Sequence, residues 1–278
     1  NQPAPDAFPF LNRQERDSIM ATGYAATTGQ PGHTAQTPLA GRRIAITGGT
    51  TGIGRAAALL LAGEGAQIFT CGRDPEHLAD ALAAVRDAGG TIDGLALDLA
   101  HEGAVDRFFT AAEDAMGGID AAIINAAIPA SGLTEMDEAS LRYAIAADFT
   151  AYLVSAWRAA AVLSGKEGDI VLVGSMSAHV LGGHSTVYAG MKAGIAGFSE
   201  ALRREMGGKG VRVGLVEPGL VGTDFQYPDI PAEKQRAMIG EAKMLRAEDI
   251  AVGIHYFLTQ PRRTVVQQIV IVPRVNEE

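Results

Sequence analysis

"RIAITGGTTGIGRAAALLL", residues 43–61, runs from a short apolar segment through a glycine-rich turn into an alanine- and leucine-rich helical pattern. Its glycines at 48, 52 and 54 have the spacing GxxxGxG. Glycine lets the backbone turn sharply and lets a pyrophosphate come close, and the helix that follows offers unpaired N–H groups and the positive end of its dipole. Such a turn also serves tight packing in other settings. Here a strand precedes it and a helix follows, which is the context dinucleotide binding requires. The stretch predicts a cofactor cradle of Gly48, Thr50, Thr51, Gly52, Ile53 and Gly54.

Further apolar runs at 66–71, 92–98, 120–125, 169–175, 211–218 and 267–273 alternate with helical stretches such as "PEHLADALAAVRDAG" and "EGAVDRFFTAAEDAMG". Strands that are apolar throughout are buried on both faces. With the run at 43–48 they predict an α/β fold: a doubly wound, Rossmann-type, seven-stranded parallel sheet with helices on both faces, one domain over residues 41–278. Ligands of such sheets sit beyond the carboxyl ends of the strands, where the winding reverses. Residues 1–40 differ. They carry Pro, Gly, Thr and Gln around one short helical pattern, and read as an N-terminal arm.

A formal net charge of −9 repels nucleic acid and anionic membrane. Cys71 is the one cysteine, so no internal disulfide forms, and the six histidines show no metal-ligand spacing. No apolar run reaches membrane-spanning length. The expectation is a cytoplasmic protein without metal, acting on a small molecule.

The second strand ends "AQIFTCGRDPEHL". Many NAD sites have a carboxylate there that bonds the adenosine ribose. Gly72 supplies none, and Arg73 offers a planar cation suited to a 2′-phosphate, so NADP(H) is favoured over NAD(H). Asp74, followed by Pro75, reads as a helix N-cap.

In "STVYAGMKAGIAGFSE", residues 185–200, Tyr188 and Lys192 stand four residues apart and project from one helix face. Alone, that spacing describes many solvated pairs. Ser175, thirteen residues before Tyr188, ends the apolar run "DIVLVGS", where a ligand crevice belongs.

Together "TGGTTGIG", "NAA" at 125–127, "GS" at 174–175, "YAGMK" at 188–192 and "EPGLVGT" at 217–223 resemble the classical short-chain dehydrogenase/reductase family over residues 41–273. The resemblance implies that Tyr188 exchanges a proton with a substrate oxygen. Ser175 holds that oxygen, and Lys192 lowers the phenol's pKa and binds the nicotinamide ribose. It implies further cofactor contacts from Asp98, Leu99, Asn125, Ala126, Pro218, Gly219, Val221 and Thr223. Asp98 has an equal alternative as a helix cap. The expected activity is NADP(H)-dependent reduction of a small ketone or aldehyde, or oxidation of an alcohol. A low-turnover dinucleotide-binding sensor and a lyase or epimerase on the same fold stand as alternatives.

The chain departs from the family pattern at three places. Asp148 stands where the family has an asparagine that anchors a water next to the catalytic lysine. A carboxylate there either pairs with Lys192 and weakens its effect on Tyr188 or still holds the water, and an active enzyme with a shifted pH optimum is expected. "NAA" replaces "NAG", and the C-terminus lacks a Gly-Gly ending, more like the subgroup acting on small β-hydroxy acids. Residues 222–245 occupy the place of a substrate lid, where Phe225, Tyr227, Met238 and Met244 either cover a substrate or pack between helices. A homo-oligomer, dimer or tetramer, is expected from the family.

Overall fold

The computed structural model describes residues 36–227 and 229–275, together with Gln14. The chain divides into units 1–36 and 37–278. The expected arm therefore falls almost wholly outside the described residues. Its last residues, from 37 on, are part of the second unit: Thr37 donates from its amide to Thr259 O at 2.8 Å, and Leu39 is buried.

Strands β1 (Arg43–Thr47), β2 (Gln67–Gly72), β3 (Thr91–Ala96) and β4 (Ala121–Ile124) alternate with helices α1 (Gly52–Gly63), α2 (Pro75–Asp87) and α3 (Ala104–Met116). Then come α4 (Glu138–Ile145), a π turn (Ala146–Thr150), α5 (Ala151–Leu163), β5 (Asp169–Val173), α6 (Thr186–Gly207) and β6 (Arg212–Pro218). The chain closes with β7 (Val221–Gly222), α7 (Ala232–Gly240), β8 (Leu245–Arg246), α8 (Ala247–Thr259) and β9 (Gln268–Ile271).

Seven of these strands form one parallel sheet in the order β3-β2-β1-β4-β5-β6-β9. Its central strands are apolar on both faces because two cores cover them. Phe108, Phe109, Tyr152, Ile195 and Leu215 belong to one core; Ile44, Ile46, Leu61, Val216 and Ile254 belong to the other. Small residues let α1 approach closely, and Ala56, Ala57 and Ala58 are all buried. The predicted doubly wound sheet is the observed one.

The winding reverses at β1, which pairs with β2 on one side and β4 on the other. The crevice between the carboxyl ends of β1 and β4 is therefore where this fold binds ligands. Asp74 caps α2 as expected, accepting from the amides of Glu76 and His77, with Pro75 at the first helical position. A parallel mini-sheet was not foreseen: β7 pairs with β8 through Val221–Leu245 and Gly222–Arg246. It brackets most of the segment read as a lid.

At the opposite, amino-terminal edge, the buried carboxylate of Asp169 meets three guanidinium groups: Arg42 and Arg212 at 2.7 Å and Arg262 at 2.8 Å. Among the described residues, no helix is long and apolar enough to cross a membrane.

Candidate active site

The glycine turn is built for a close approach. Gly48 has φ +68°, and a Cβ there would lie 2.7 Å from Cα of Ala126, across the β1–β4 gap. A Cβ on Gly54 would lie 2.6 Å from Nδ2 of Asn125 and collide with the Gly48 carbonyl oxygen. Gly52, φ +50°, would bring a Cβ to 3.0 Å from Thr223 Cγ2, so the turn and the segment after β6 face each other. Thr51 has extended backbone and provides no side-chain cap, which leaves the first amides of α1 unpaired by it. This bare, glycine-lined helix start fits a pyrophosphate.

The other residues named for the cofactor have distinct surroundings. Thr50 is buried under Gly72, where any Cβ would strike it. Ile53 packs on the core, and Leu99 is itself buried. Asn125 spends its amide hydrogens on the carbonyls of Thr47 at 3.2 Å and Gly48 at 3.0 Å. It holds the turn in shape, and only its carbonyl oxygen is left for a ribose. Gly219, after Pro218, donates to Ile271 O at 2.8 Å, fixing the end of β6 against β9. Val221 is buried, at the start of the mini-sheet. The one described non-glycine residue with positive φ is Ala242, so Ala127 of "NAA" carries no left-handed strain.

Asp98 lies just beyond β3. It accepts from the Ala100 amide at 2.9 Å and from the Tyr143 hydroxyl at 2.6 Å. The cap of α3 is Gly103, so Asp98 does not cap that helix. Arg73, exposed at the end of β2, donates to the same Tyr143 hydroxyl at 2.9 Å.

Ser175 follows the end of β5 and accepts from the Ser177 amide at 3.1 Å. The next loop delivers the chain to α6, which carries Tyr188 and Lys192. The ammonium of Lys192 sits 5.4 Å from the centre of the Tyr188 ring. It donates to Val173 O at 3.1 Å and to the Tyr152 hydroxyl at 3.3 Å, and Tyr152 in turn donates to Val173 O at 3.0 Å. Tyr152 was missed by the sequence reading, because within "AYLVSAW" it looks like one more core residue.

The π turn carries Asp148 into the interior. Its closing bond runs from the Ala151 amide to Ala146 O, five residues back, a geometry common at functional sites. Asp148 is fully buried and accepts from the Ile128 amide at 2.7 Å, while its other oxygen has no hydrogen-bond partner among the described residues. Burial raises its carboxyl to about 6, against the pull of Lys192, the Ile128 amide and Arg73. Burial lowers Lys192 to about 8, and Asp148 partly offsets that. The two act on each other through space without an ion pair.

Burial raises the Tyr188 pKa well above that of a free phenol, and the Asp148 charge adds to this. A hydrogen bond with Ser175 works the other way but does not prevail. Lys192 gives its hydrogens to Tyr152 and Val173, and among the described residues it makes no hydrogen bond to Tyr188. Phe225 lies against the Tyr188 ring, centroids 5.5 Å apart. Met244 is buried, its sulfur 3.2 Å from where a Cβ on Gly222 would lie, whereas Tyr227 is exposed. His179, in the loop after Ser175, bonds the buried Glu217 at 2.9 Å, and Gln268 donates to the same carboxylate oxygen.

The model of the short chain dehydrogenase family matches residues 42–234. Serine 3-dehydrogenase of Agrobacterium fabrum is 31% identical over 241 residues, 84% of this chain and 94% of that protein. Among solved structures, a short chain dehydrogenase from Burkholderia cenocepacia in complex with NADP superposes with a TM-score of 0.76 at 26% identity, covering 85% of this chain and 98% of that one. A variant of actinorhodin polyketide ketoreductase with NADPH gives 0.75 at 25% identity, with coverage of 85% and 98%.

Proposed function

The chain belongs to the short-chain dehydrogenase family of oxidoreductases, and from that premise we propose that it reduces a small-molecule ketone or aldehyde with NADPH. The supporting observation is that Ser175, just after β5, shares a hydrogen bond with Tyr188 of α6, whose ring centre lies 5.4 Å from the Lys192 ammonium. The dinucleotide, when bound, supplies the hydride that carbonyl carbon receives. Gly48, Thr50, Thr51, Gly52, Ile53 and Gly54 shape its pyrophosphate seat. Arg73 and Asp98 flank its adenosine, and Asn125, Ala126, Pro218, Gly219, Val221 and Thr223 border the nicotinamide half.

Tyr188 gives its phenolic proton to the carbonyl oxygen as negative charge builds there, and an alcohol results. A phenol carries its proton at neutral pH, as a donor must. Ser175 bonds the same oxygen from its hydroxyl, stabilising the developing charge. Lys192 then offsets the phenolate left on Tyr188. The charge of Asp148 acts on both. Residues 222–245 form the lid, and Phe225 places an apolar wall beside the reacting phenol.

Relatives named as a serine dehydrogenase and a polyketide ketoreductase both point to a hydroxyl–carbonyl exchange. Reduced-cofactor consumption with a panel of ketones, aldehydes and β-keto acids, using NADPH and NADH, tests the reading. Turnover with NADPH that Tyr188→Phe abolishes, at undiminished cofactor affinity, supports it. No turnover with any carbonyl, or full turnover in Tyr188→Phe, refutes it.

A further inference from the structure

Three separate segments reach the adenosine end of the crevice: the end of β2 with Arg73, the end of β3 with Asp98, and α4 with Tyr143. One oxygen joins them. The Tyr143 hydroxyl gives its hydrogen to Asp98 Oδ2 at 2.6 Å and accepts Nη1 of Arg73 at 2.9 Å. A phenol has one hydrogen and two lone pairs, so this order is the one its chemistry permits between a carboxylate and a guanidinium.

The charges agree with that order. Burial works to raise the Asp98 carboxyl, but the bonds from Tyr143 and Ala100 and the Arg73 charge outweigh it, so Asp98 is ionised at neutral pH. Burial and the bond to Asp98 raise the Tyr143 phenol, so it keeps its proton. Arg73 spends only one of its five N–H donors on this contact. Among the described residues the rest of its fork has no hydrogen-bond partner, which leaves it to a phosphate.

Remove the hydroxyl and the balance changes. Nothing then separates the guanidinium of Arg73 from the carboxylate of Asp98, and planar fork-to-carboxylate pairing is the strongest contact available to either. That pairing consumes the donors a 2′-phosphate needs.

We infer that Tyr143 is a positioning residue for adenosine 2′-phosphate: it holds Arg73 off Asp98 and presents the free edge of the guanidinium to the phosphate. The inference rests on the NADP(H) reading above. It assigns Tyr143 no part in the chemistry at the carbonyl.

Calorimetric titration of the full chain with 2′,5′-ADP and with 5′-AMP tests it without turnover. Tyr143→Phe is expected to weaken 2′,5′-ADP about ten-fold, the worth of a charge-assisted hydrogen bond, and to leave 5′-AMP within about two-fold. Arg73→Ala is expected to erase the preference for 2′,5′-ADP altogether. If Arg73→Ala erases it and Tyr143→Phe leaves 2′,5′-ADP within about two-fold, or weakens both ligands equally, the role of Tyr143 is overturned alone. If Arg73→Ala leaves the preference intact, the NADP(H) reading falls and takes this inference with it. Tyr143 is only partly buried, and a far-UV spectrum matching wild type verifies that each variant folds.

Discussion

The ammonium of Lys192 lies 3.3 Å from the hydroxyl of Tyr152, not on that of Tyr188. Both side chains are fully buried, and both also bond Val173 O. Tyr152 thus sets where the cation of the site rests. Tyr152→Phe removes an acceptor that favours the ammonium, so the Lys192 pKa falls further below about 8. The descending limb of the pH–rate profile moves to lower pH, kcat drops roughly five- to ten-fold, and substrate KM stays within about two-fold. An unchanged profile and kcat would show that Tyr152 only fills space.

Asp148 raises the Tyr188 phenol by its charge, and its carboxyl titrates near 6. Asp148→Asn removes that charge and leaves an active enzyme. In the alcohol-oxidising direction, where the phenolate is required, the ascending limb moves to lower pH, and the ionisation near 6 vanishes. Stability carries a linked signal. The folded value lies above the ordinary carboxylate value of 3.8, so the ionised group costs stability above pH 6. That cost fades as pH falls from about 6 toward 3.8, and the asparagine variant lacks this dependence. Superimposable pH–rate profiles for the two proteins would remove Asp148 from the site.

Gly54→Ala places a methyl group against the Gly48 carbonyl and the Asn125 amide. The turn must open to admit it, and its seat for phosphate is lost. Dissociation constants for NADP(H) rise by at least about ten-fold while the far-UV spectrum keeps its shape. Unaltered affinity, measured by fluorescence titration, would mean that phosphate binds elsewhere.

Asp169→Asn leaves three guanidinium groups around a neutral amide. Breaking a buried ion pair by removing one partner costs about 3–5 kcal/mol. Urea denaturation is expected to show a loss of that size with kcat retained, because the cluster lies at the edge of the sheet away from the crevice. A loss under about 1 kcal/mol would place these contacts with ordinary surface pairs.

The sheet was readable from the chain because parallel strands buried on both faces are unbroken apolar runs, as in "DIVLVG". Its strands fall within two residues of the predicted ends, and the glycine turn falls at the predicted reversal. Other features left no such trace. β7 and β8 are two residues each, too short for any period to register. A π turn is a backbone event, and "AADFT" has no composition that announces it. Tyr143 and Tyr152 matter through partners 45 and 40 residues away, Asp98 and Lys192, which no local pattern reports. The surroundings of Lys192 are equally non-local. Spacing gave its distance from Tyr188 along the helix, but not the strand carbonyl and second phenol that hold it.

The pairing of Val221 with Leu245 and of Gly222 with Arg246 gives the intervening stretch a common base, like the two posts of a gate. A chain whose ends are already clamped together has met the main entropic cost of closing, and doubling its length adds only about 0.6 kcal/mol. Insertions, deletions and wholesale exchange of that stretch are thus thermodynamically mild, and the sheet beneath need not register them. Diversification of what such a scaffold accepts has a place to happen.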